Sequence, residues 1–311
     1  MFNIKIDTNY KLDNINGIQD KFLFNDSYYK IDKTGSEGIT EELSSLILSC
    51  STLKPEEYII YENGFVNSLH SCKSENFLKN NEKFIDFNTL HLTVYDERLD
   101  WHLRRNTMQE KIEYTINFLK ESTGLDVTDY LRKNITLDYI IKNTDRHFSN
   151  LGIIVCDNET FKTAPIFDNG AGLMSNMSIM YTKNIDENLN ELKAKPFSDN
   201  INDMYEYFGP GFQVDFKHVL EILDKKYNLQ KGMYGYEQFI ILKHQANKLL
   251  NTELNLENSL DVEISRLRAE YKIENGKLIL NESAQKECKK LIEQGIITDI
   301  RQYPMYKDMQ R

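Results

Sequence analysis

The sequence predicts an α+β fold of two lobes: a small mixed lobe over residues 1–100 and a larger, mainly helical lobe over 101–311. Three observations carry this prediction. The first hundred residues alternate short apolar runs with turn residues around a single helical segment. From residue 107 the apolar residues fall into helical spacing. Between the helices, the stretch 143–170 holds a cluster of polar residues next to a short hairpin pattern.

The elements follow in order. "KFLFNDSYYKID" (21–32) is two apolar runs parted by "NDS", which predicts a hairpin. In "TGSEGITEELSSLILSC" (34–50), Gly35 and Gly38 mark a turn and Thr40 is the expected N-cap. Leu43, Leu46, Ile47 and Cys50 then share one helical face. "EEYIIYENG" (56–64) returns to a strand pattern, and the lobes are expected to part within 88–106. "MQEKIEYTINFLKESTG" and "DVTDYLRKNITLDYIIKN" read as two helices joined at Gly124, the second with Val127, Leu131 and Ile135 on one face. "LGIIVCD" and "FKTAPIFD" predict a hairpin around "NET". Beyond residue 200 the chain reads as helical and highly charged to its end.

Composition narrows the function. Of 311 residues, 40% are hydrophobic and 28% charged, and 18 Tyr and 16 Phe supply material for a core rather than a disordered chain. A net charge of −10 argues against nucleic-acid binding through general electrostatics. The short cluster "HLRRN" (102–106) reads as a solvated face. No run is long and apolar enough for a membrane span, and the polar N-terminus lacks the pattern of a secretory signal. Cys50, Cys72, Cys156 and Cys288 are widely spaced, the pattern of reduced thiols rather than of a zinc or disulfide framework. A cytoplasmic, bacterial protein without a membrane partner is the expectation, and export without a signal is compatible with the same features.

The polar cluster points to chemistry. Transfer of the γ-phosphoryl group of ATP needs a carboxylate for the attacking hydroxyl and an Asn plus a second carboxylate for magnesium. It also needs a Lys, held by a Glu, for the α- and β-phosphates. Asp145 and Asn150 in "NTDRHFSN" have the five-residue spacing of a base and a metal-binding Asn. Asp168 in "APIFDNGAG" follows a short strand and precedes a small-residue turn, as a second magnesium (Mg2+) ligand would. Upstream, Lys30 is the best placed phosphate lysine and Glu41 its partner. Lys33 competes with the first, Glu37 and Glu42 with the second. Singly, each of these is also an ordinary cap, turn or surface residue. Their order favours a bilobal protein-kinase-like fold.

Four stretches resemble a known family. "INGIQDKFLF" is similar to the GxQxK strand start of HipA-like serine/threonine kinases, the toxin components of bacterial toxin–antitoxin pairs. "TDRHFSN" resembles their catalytic loop, "APIFD" their TPxYD element, and "AKPFSDN" (194–200) a segment found in small members; the resemblance spans residues 14–215. It implies Asp145 as catalytic base, Asn150 and Asp168 as magnesium ligands, and Lys30 as the ATP lysine. Lys21 becomes a second phosphate contact, and His147 a neighbour of the phosphates. It further implies a protein substrate and a HipB-type antitoxin as partners. Asn14 stands where the family's phosphorylated serine would be, and the family's N-terminal subdomain is expected to be missing, as in its compact members.

Two other functions compete. Phosphatidylinositol kinases also carry a DRHxxN loop, but with a shorter gap than the 23 residues from Asp145 to Asp168. An acidic chain without a polybasic segment is also a poor fit to a membrane. The third reading is a nucleotide-binding module without turnover.

Overall fold

The computed structural model describes residues 1–12, 19–33, 35–79, 81–156, 160–176, 184–227, 229–252, 271–274, 277–280 and 282–294. The chain divides into two compact units, Met1–Lys248 and Leu249–Arg311. Asn14 lies outside the described residues, as do Asn158 and Glu159 of the expected hairpin turn.

In the first unit, strands β1 (Phe2–Ile4), β2 (Lys21–Phe24), β3 (Ser27–Ile31), β4 (Tyr61–Val66) and β5 (Leu69–Glu75) form one sheet in the order β1-β4-β5-β3-β2. Only β1 and β4 run parallel. The β2–β3 hairpin turns on Asn25 and Asp26, both with positive φ (50° and 57°), the two-residue turn whose twist suits the flanking strands. Register fixes the faces. Lys21 pairs with Lys30 and Lys30 with Cys72, so these three side chains share one face. Phe22, Tyr29 and Ile31 point the other way, into a core with Ile6 and Val66.

Helix α1 (Glu37–Ser49) packs on β4 and β5 with Leu43 and Ile47 fully buried. Its N-cap is Ser36 rather than the expected Thr40. Thr40 lies inside the helix, where its hydroxyl donates to the Ser36 carbonyl at 2.9 Å. The first turn starts earlier because Gly38 allows close approach: a Cβ there would lie 2.8 Å from Asp32 Oδ1 and 2.9 Å from the Ser71 carbonyl carbon. The expected strand over 56–64 begins late. Pro55–Glu57 forms a 3-10 turn, closed by Glu57 Oε2 accepting from the Lys54 amide at 2.7 Å, and β4 starts only at Tyr61.

The helical part follows: α2 (Phe87–Tyr95), α3 (Leu99–His102), α4 (Met108–Thr123) and α5 (Thr128–Ile141). Thr107 and Glu110 form a reciprocal capping box at the start of α4, and Gly124, at φ 76°, ends it. Val127, Leu131 and Ile135 enter a core shared with Leu99, Ile112 and Phe197. A small sheet of β6 (Lys83–Asp86), β7 (Gly152–Val155) and β8 (Phe161–Thr163), in the order β6-β7-β8, underlies the polar cluster.

Helices α6 (Ile185–Asn190), α7 (Ile201–Phe208) and α8 (Phe216–Lys226) lead to α9, helical over 236–252. The segment joining α8 and α9 returns to α1. Lys226 Nζ and the Tyr227 hydroxyl donate to Glu42 Oε1 at 2.7 and 2.6 Å. Tyr234 donates to Asp32 Oδ2 and accepts from the Ile39 amide, with its ring stacked on His70. On α9, Gln238 and Gln245 donate to the carbonyls of Leu173 and Ile140.

In the second unit, the expectation of helix throughout is corrected. β9 (Tyr271–Glu274) and β10 (Lys277–Leu280) pair antiparallel, and α10 (Glu282–Glu293) follows. "YKIENGKLIL" carries an Asn-Gly dipeptide between two alternating runs, a hairpin signal even in a charged context.

Candidate active site

Helix α5 stops at Lys142, whose left-handed conformation (φ 53°) turns the chain out of the helix. The loop that follows is held by its own polar groups. Asn143 donates to Asp138 Oδ1 at 2.8 Å and accepts from the Asp145 amide at 3.0 Å. The His147 amide donates to the Asp145 carbonyl at 2.9 Å, and Asn150 Nδ2 donates to that same carbonyl at 3.1 Å. The five-residue spacing of Asp145 and Asn150 therefore closes a tight loop. Asn150 Oδ1 is left without a hydrogen bond among the described residues.

The second loop begins at Asp168, a non-glycine residue at φ 57°. Such a backbone conformation persists only where the surroundings hold it. Here Lys30 Nζ donates to Asp168 Oδ1 at 2.6 Å and to Glu41 Oε1 at 2.9 Å. The other Glu41 oxygen accepts from the Asn169 amide at 2.9 Å. One carboxylate on α1 thus fixes both the lysine on β3 and the backbone after Asp168. Gly170 permits this closeness, since a Cβ there would lie 3.2 Å from Glu37 Cβ and 3.4 Å from the Glu37 carbonyl oxygen.

The alternatives left open by the sequence separate cleanly. Lys33 is exposed. Glu37 accepts from the Gly35 amide at 3.0 Å, and Glu42 is taken by Lys226, Tyr227 and Asn63. Lys30 and Glu41 are the pair that meets at Asp168.

Electrostatics follow the geometry. Burial by itself pushes the Asp168 carboxyl up, but the charges of Lys30 and Lys21 and the Lys30 hydrogen bond outweigh it and hold the group well below the usual carboxylate range. Burial likewise pulls Lys30 down, and the carboxylates of Asp168 and Glu41 carry it well above an ordinary lysine. Lys21, on the same sheet face, is lowered by burial, against the attraction of Asp168 and with the repulsion of Lys30. His147 stands farther out, with Nε2 3.9 Å from Asp145 Oδ2 and over a third of its side chain exposed.

Arg146 joins the two loops and is the largest fully buried side chain described. Its Nη2 and Nε donate to Asp138 at 2.9 and 3.0 Å, Nη1 to the Phe167 carbonyl at 2.5 Å, and Nη2 also to Asn169 Oδ1 at 2.7 Å. The loop of Asp145 is thereby tied to the loop of Asp168. Lys195 approaches from the far side, its Nζ 2.8 Å from Asp145 Oδ1. Sequence reasoning assigned no role to Arg146, Asp138 or Lys195. "DRH" and "AKPFSDN" were visible as motifs, but neither pairing has a local period that would announce it.

Magnesium takes oxygen ligands and keeps several waters. Asp168 Oδ2 and Asn150 Oδ1 accept no hydrogen bond among the described residues, so the donor set offers one carboxylate oxygen and one amide oxygen. That pair fits a magnesium ion shared with phosphate. Among the described residues, no group of three or more His, Cys, Asp or Glu side chains could hold a metal by itself, and no helix is long and apolar enough to cross a membrane.

No protein-family model and no curated protein sequence matches the chain. Among solved structures, a Helicobacter pylori proinflammatory kinase, CtkA, superposes with a TM-score of 0.57 at 16% identity, covering 80% of this chain and 95% of its own. The fold is thus shared with a kinase: the chain has a bilobal, kinase-like α+β fold.

Proposed function

We propose that this protein transfers the γ-phosphoryl group of Mg·ATP to a serine or threonine hydroxyl of another protein. The observation that carries the reading is the Lys30 ammonium held between Glu41 and Asp168, with the Asp145–Asn150 loop tied to the same Asp168 loop through Arg146. A nucleotide-binding module without turnover has no need of Asp145 beside that cluster.

Each residue has a task. Asp145 orients the acceptor hydroxyl and takes its proton as the new O–P bond forms and the bond from the γ-phosphorus to ADP breaks. Lys195 Nζ donates to Asp145 Oδ1 at 2.8 Å and so fixes where that carboxylate points. Lys30 steadies the α- and β-phosphates, and Lys21 adds a second positive charge on the same face. Asn150 Oδ1 and the Asp168 carboxylate would hold magnesium, which when bound screens the negative charge of the phosphates. HipA-like membership, a toxin role and a HipB-type antitoxin rest on the "GIQDK" and "DRHFSN" resemblance alone.

The test is transfer of labelled γ-phosphate from Mg·ATP into a bacterial lysate, with protein and lipid fractions counted separately. Asp145→Asn is expected to lower protein labelling by about 10²–10⁴ while nucleotide binding persists. Asp168→Ala is expected to lose magnesium-dependent turnover. Wild-type labelling in either variant refutes the assignment, and label confined to the lipid fraction replaces it with lipid phosphorylation.

A further inference from the structure

Beside Asp145 lies a pocket of about 440 Å³ whose walls include Arg98, Arg104, Lys111, His147 and Lys195, with Asp100 the one carboxylate among its lining residues. Of the "HLRRN" cluster, Leu103 and Arg104 line it, while His102, Arg104, Arg105 and Asn106 are exposed, as a solvated face would be. We propose that this pocket selects the substrate: it takes an acidic side chain of a protein segment, placed one to three residues from the hydroxyl that is phosphorylated. The inference rests on the kinase reading above and adds to it a substrate class, an acidic peptide.

The charges do not cancel. Arg98 is occupied by Asp100, with Nη2 to Oδ2 at 2.7 Å and Nε to Oδ1 at 3.2 Å. Among the described residues, Lys111 Nζ reaches a neutral group, the Phe197 carbonyl at 3.4 Å, and no carboxylate. Arg104 is exposed, lies 5.9 Å from the Trp101 ring centroid, and meets no carboxylate among the described residues. Lys195 spends its charge on Asp145. Counting Asp100, Asp145 and Asp86, whose charge also acts on Arg98, against Arg98, Arg104, Lys111 and Lys195 leaves a surplus of one positive charge, before His147 is considered.

That surplus stands out on a chain of net charge −10. The overall field repels acidic peptides, so a positive concavity is where one gains most by binding, and low-dielectric walls focus the attraction there. The position decides what is selected. Lys195 and His147 are shared between the pocket and Asp145, so an occupant is bound next to the base. An extended segment rises about 3.3–3.6 Å per residue, which puts the acidic residue a few positions from the acceptor. Arg104 and Lys111 therefore act as specificity determinants rather than as catalytic residues.

The experiment compares serine peptides of equal length carrying aspartate, neutral or lysine residues around the acceptor. The acidic peptides are expected to show a kcat/KM about fivefold to tenfold above the neutral ones, expressed in KM, with the gap narrowing as salt screens the charges. Arg104→Glu, a change at an exposed side chain, is expected to abolish the gap, and Arg104→Lys to restore most of it. Binding of a fluorescent acidic peptide is read in parallel by anisotropy, without turnover. If no peptide is phosphorylated but Arg104→Glu abolishes this binding, the pocket stands and the kinase reading falls. If neutral or basic peptides are phosphorylated equally well, or anisotropy ignores Arg104→Glu, the pocket proposal is overturned while the kinase reading survives. Phosphorylation of phosphoinositide vesicles with no preference among peptides also overturns it.

Discussion

Replacing Lys30 by Met tests the centre of the site without invoking any ligand. The ammonium lies 2.9 Å from Glu41 and 2.6 Å from Asp168, whose side chains are 2% and 25% exposed. Methionine keeps much of the volume and removes the charge, leaving two carboxylates facing each other. Breaking a buried ion pair from one side costs about 3–5 kcal/mol. The partial exposure of Asp168 favours the lower end. At about 2–4 °C per kcal/mol, the melting temperature at neutral pH is expected to fall by about 10 °C. The pH dependence carries the sharper test. In the wild type the Asp168 carboxyl is depressed, so its contribution is present above the unfolded value of 3.8 and is lost as pH falls. In the variant, the burial that pushes the Asp168 carboxyl up is no longer outweighed by Lys30, and protonation relieves the repulsion between the two carboxylates as the solution is acidified. The gap between the two proteins should therefore be widest at pH 6–8 and shrink towards pH 4. Thermal unfolding followed by circular dichroism across that range measures it. A melting temperature unchanged at pH 7, or a gap of equal size at pH 4.5 and 7.5, would show that the cluster is not the ionic unit described.

Two further changes probe the neighbours. Arg146→Lys keeps the charge but loses the planar fork that reaches Asp138, Phe167 and Asn169 together. We predict a loss of about 2–4 kcal/mol in chemical denaturation and a weaker nucleotide affinity; a loss under about 1 kcal/mol would mean that the two loops hold without it. Burial, with Glu37 assisting against the hydrogen bonds from Tyr234 and Gly38, raises the Asp32 carboxyl from 3.8 to about 6. Its contribution to stability is present below pH 4 and lost as pH rises through 6, amounting to about 1–3 kcal/mol. Asp32→Asn should therefore lose less stability than the wild type between pH 4 and 7, and identical slopes in urea denaturation at those pH values would count against the assignment.

The parts of the molecule legible in the sequence are those written in local periods. The β2–β3 hairpin, α4 and α5 follow from turn residues and apolar spacing. Lys30 and Glu41 were placed on the right strand and helix because a strand followed by a helix restricts which lysine and which glutamate can meet. What escaped depends on separations that no period encodes. Asp138 sits in a helix and reads as a surface acid until Arg146 is folded over it. Lys195 reaches Asp145 across fifty residues of sequence. Ser36 displaced Thr40 as cap because tertiary packing at Gly38 set where α1 begins. In β9–β10, a dense run of charges masked an ordinary Asn-Gly hairpin signal.

The bridge from α8 and α9 to α1 has a consequence for the order in which the molecule is made. A ribosome adds about 5–20 residues per second. By the time Asp168 emerges, Lys30 and Glu41 have long been synthesised, but Glu42, Asp32 and the Ile39 amide still await Lys226, Tyr227 and Tyr234. A nascent chain that has passed Asp168 therefore has α1 packed on β4 and β5 but still lacks the contacts that tie the helix to the α8–α9 segment. The helix that carries Glu41 is tied down by residues some sixty positions after Asp168.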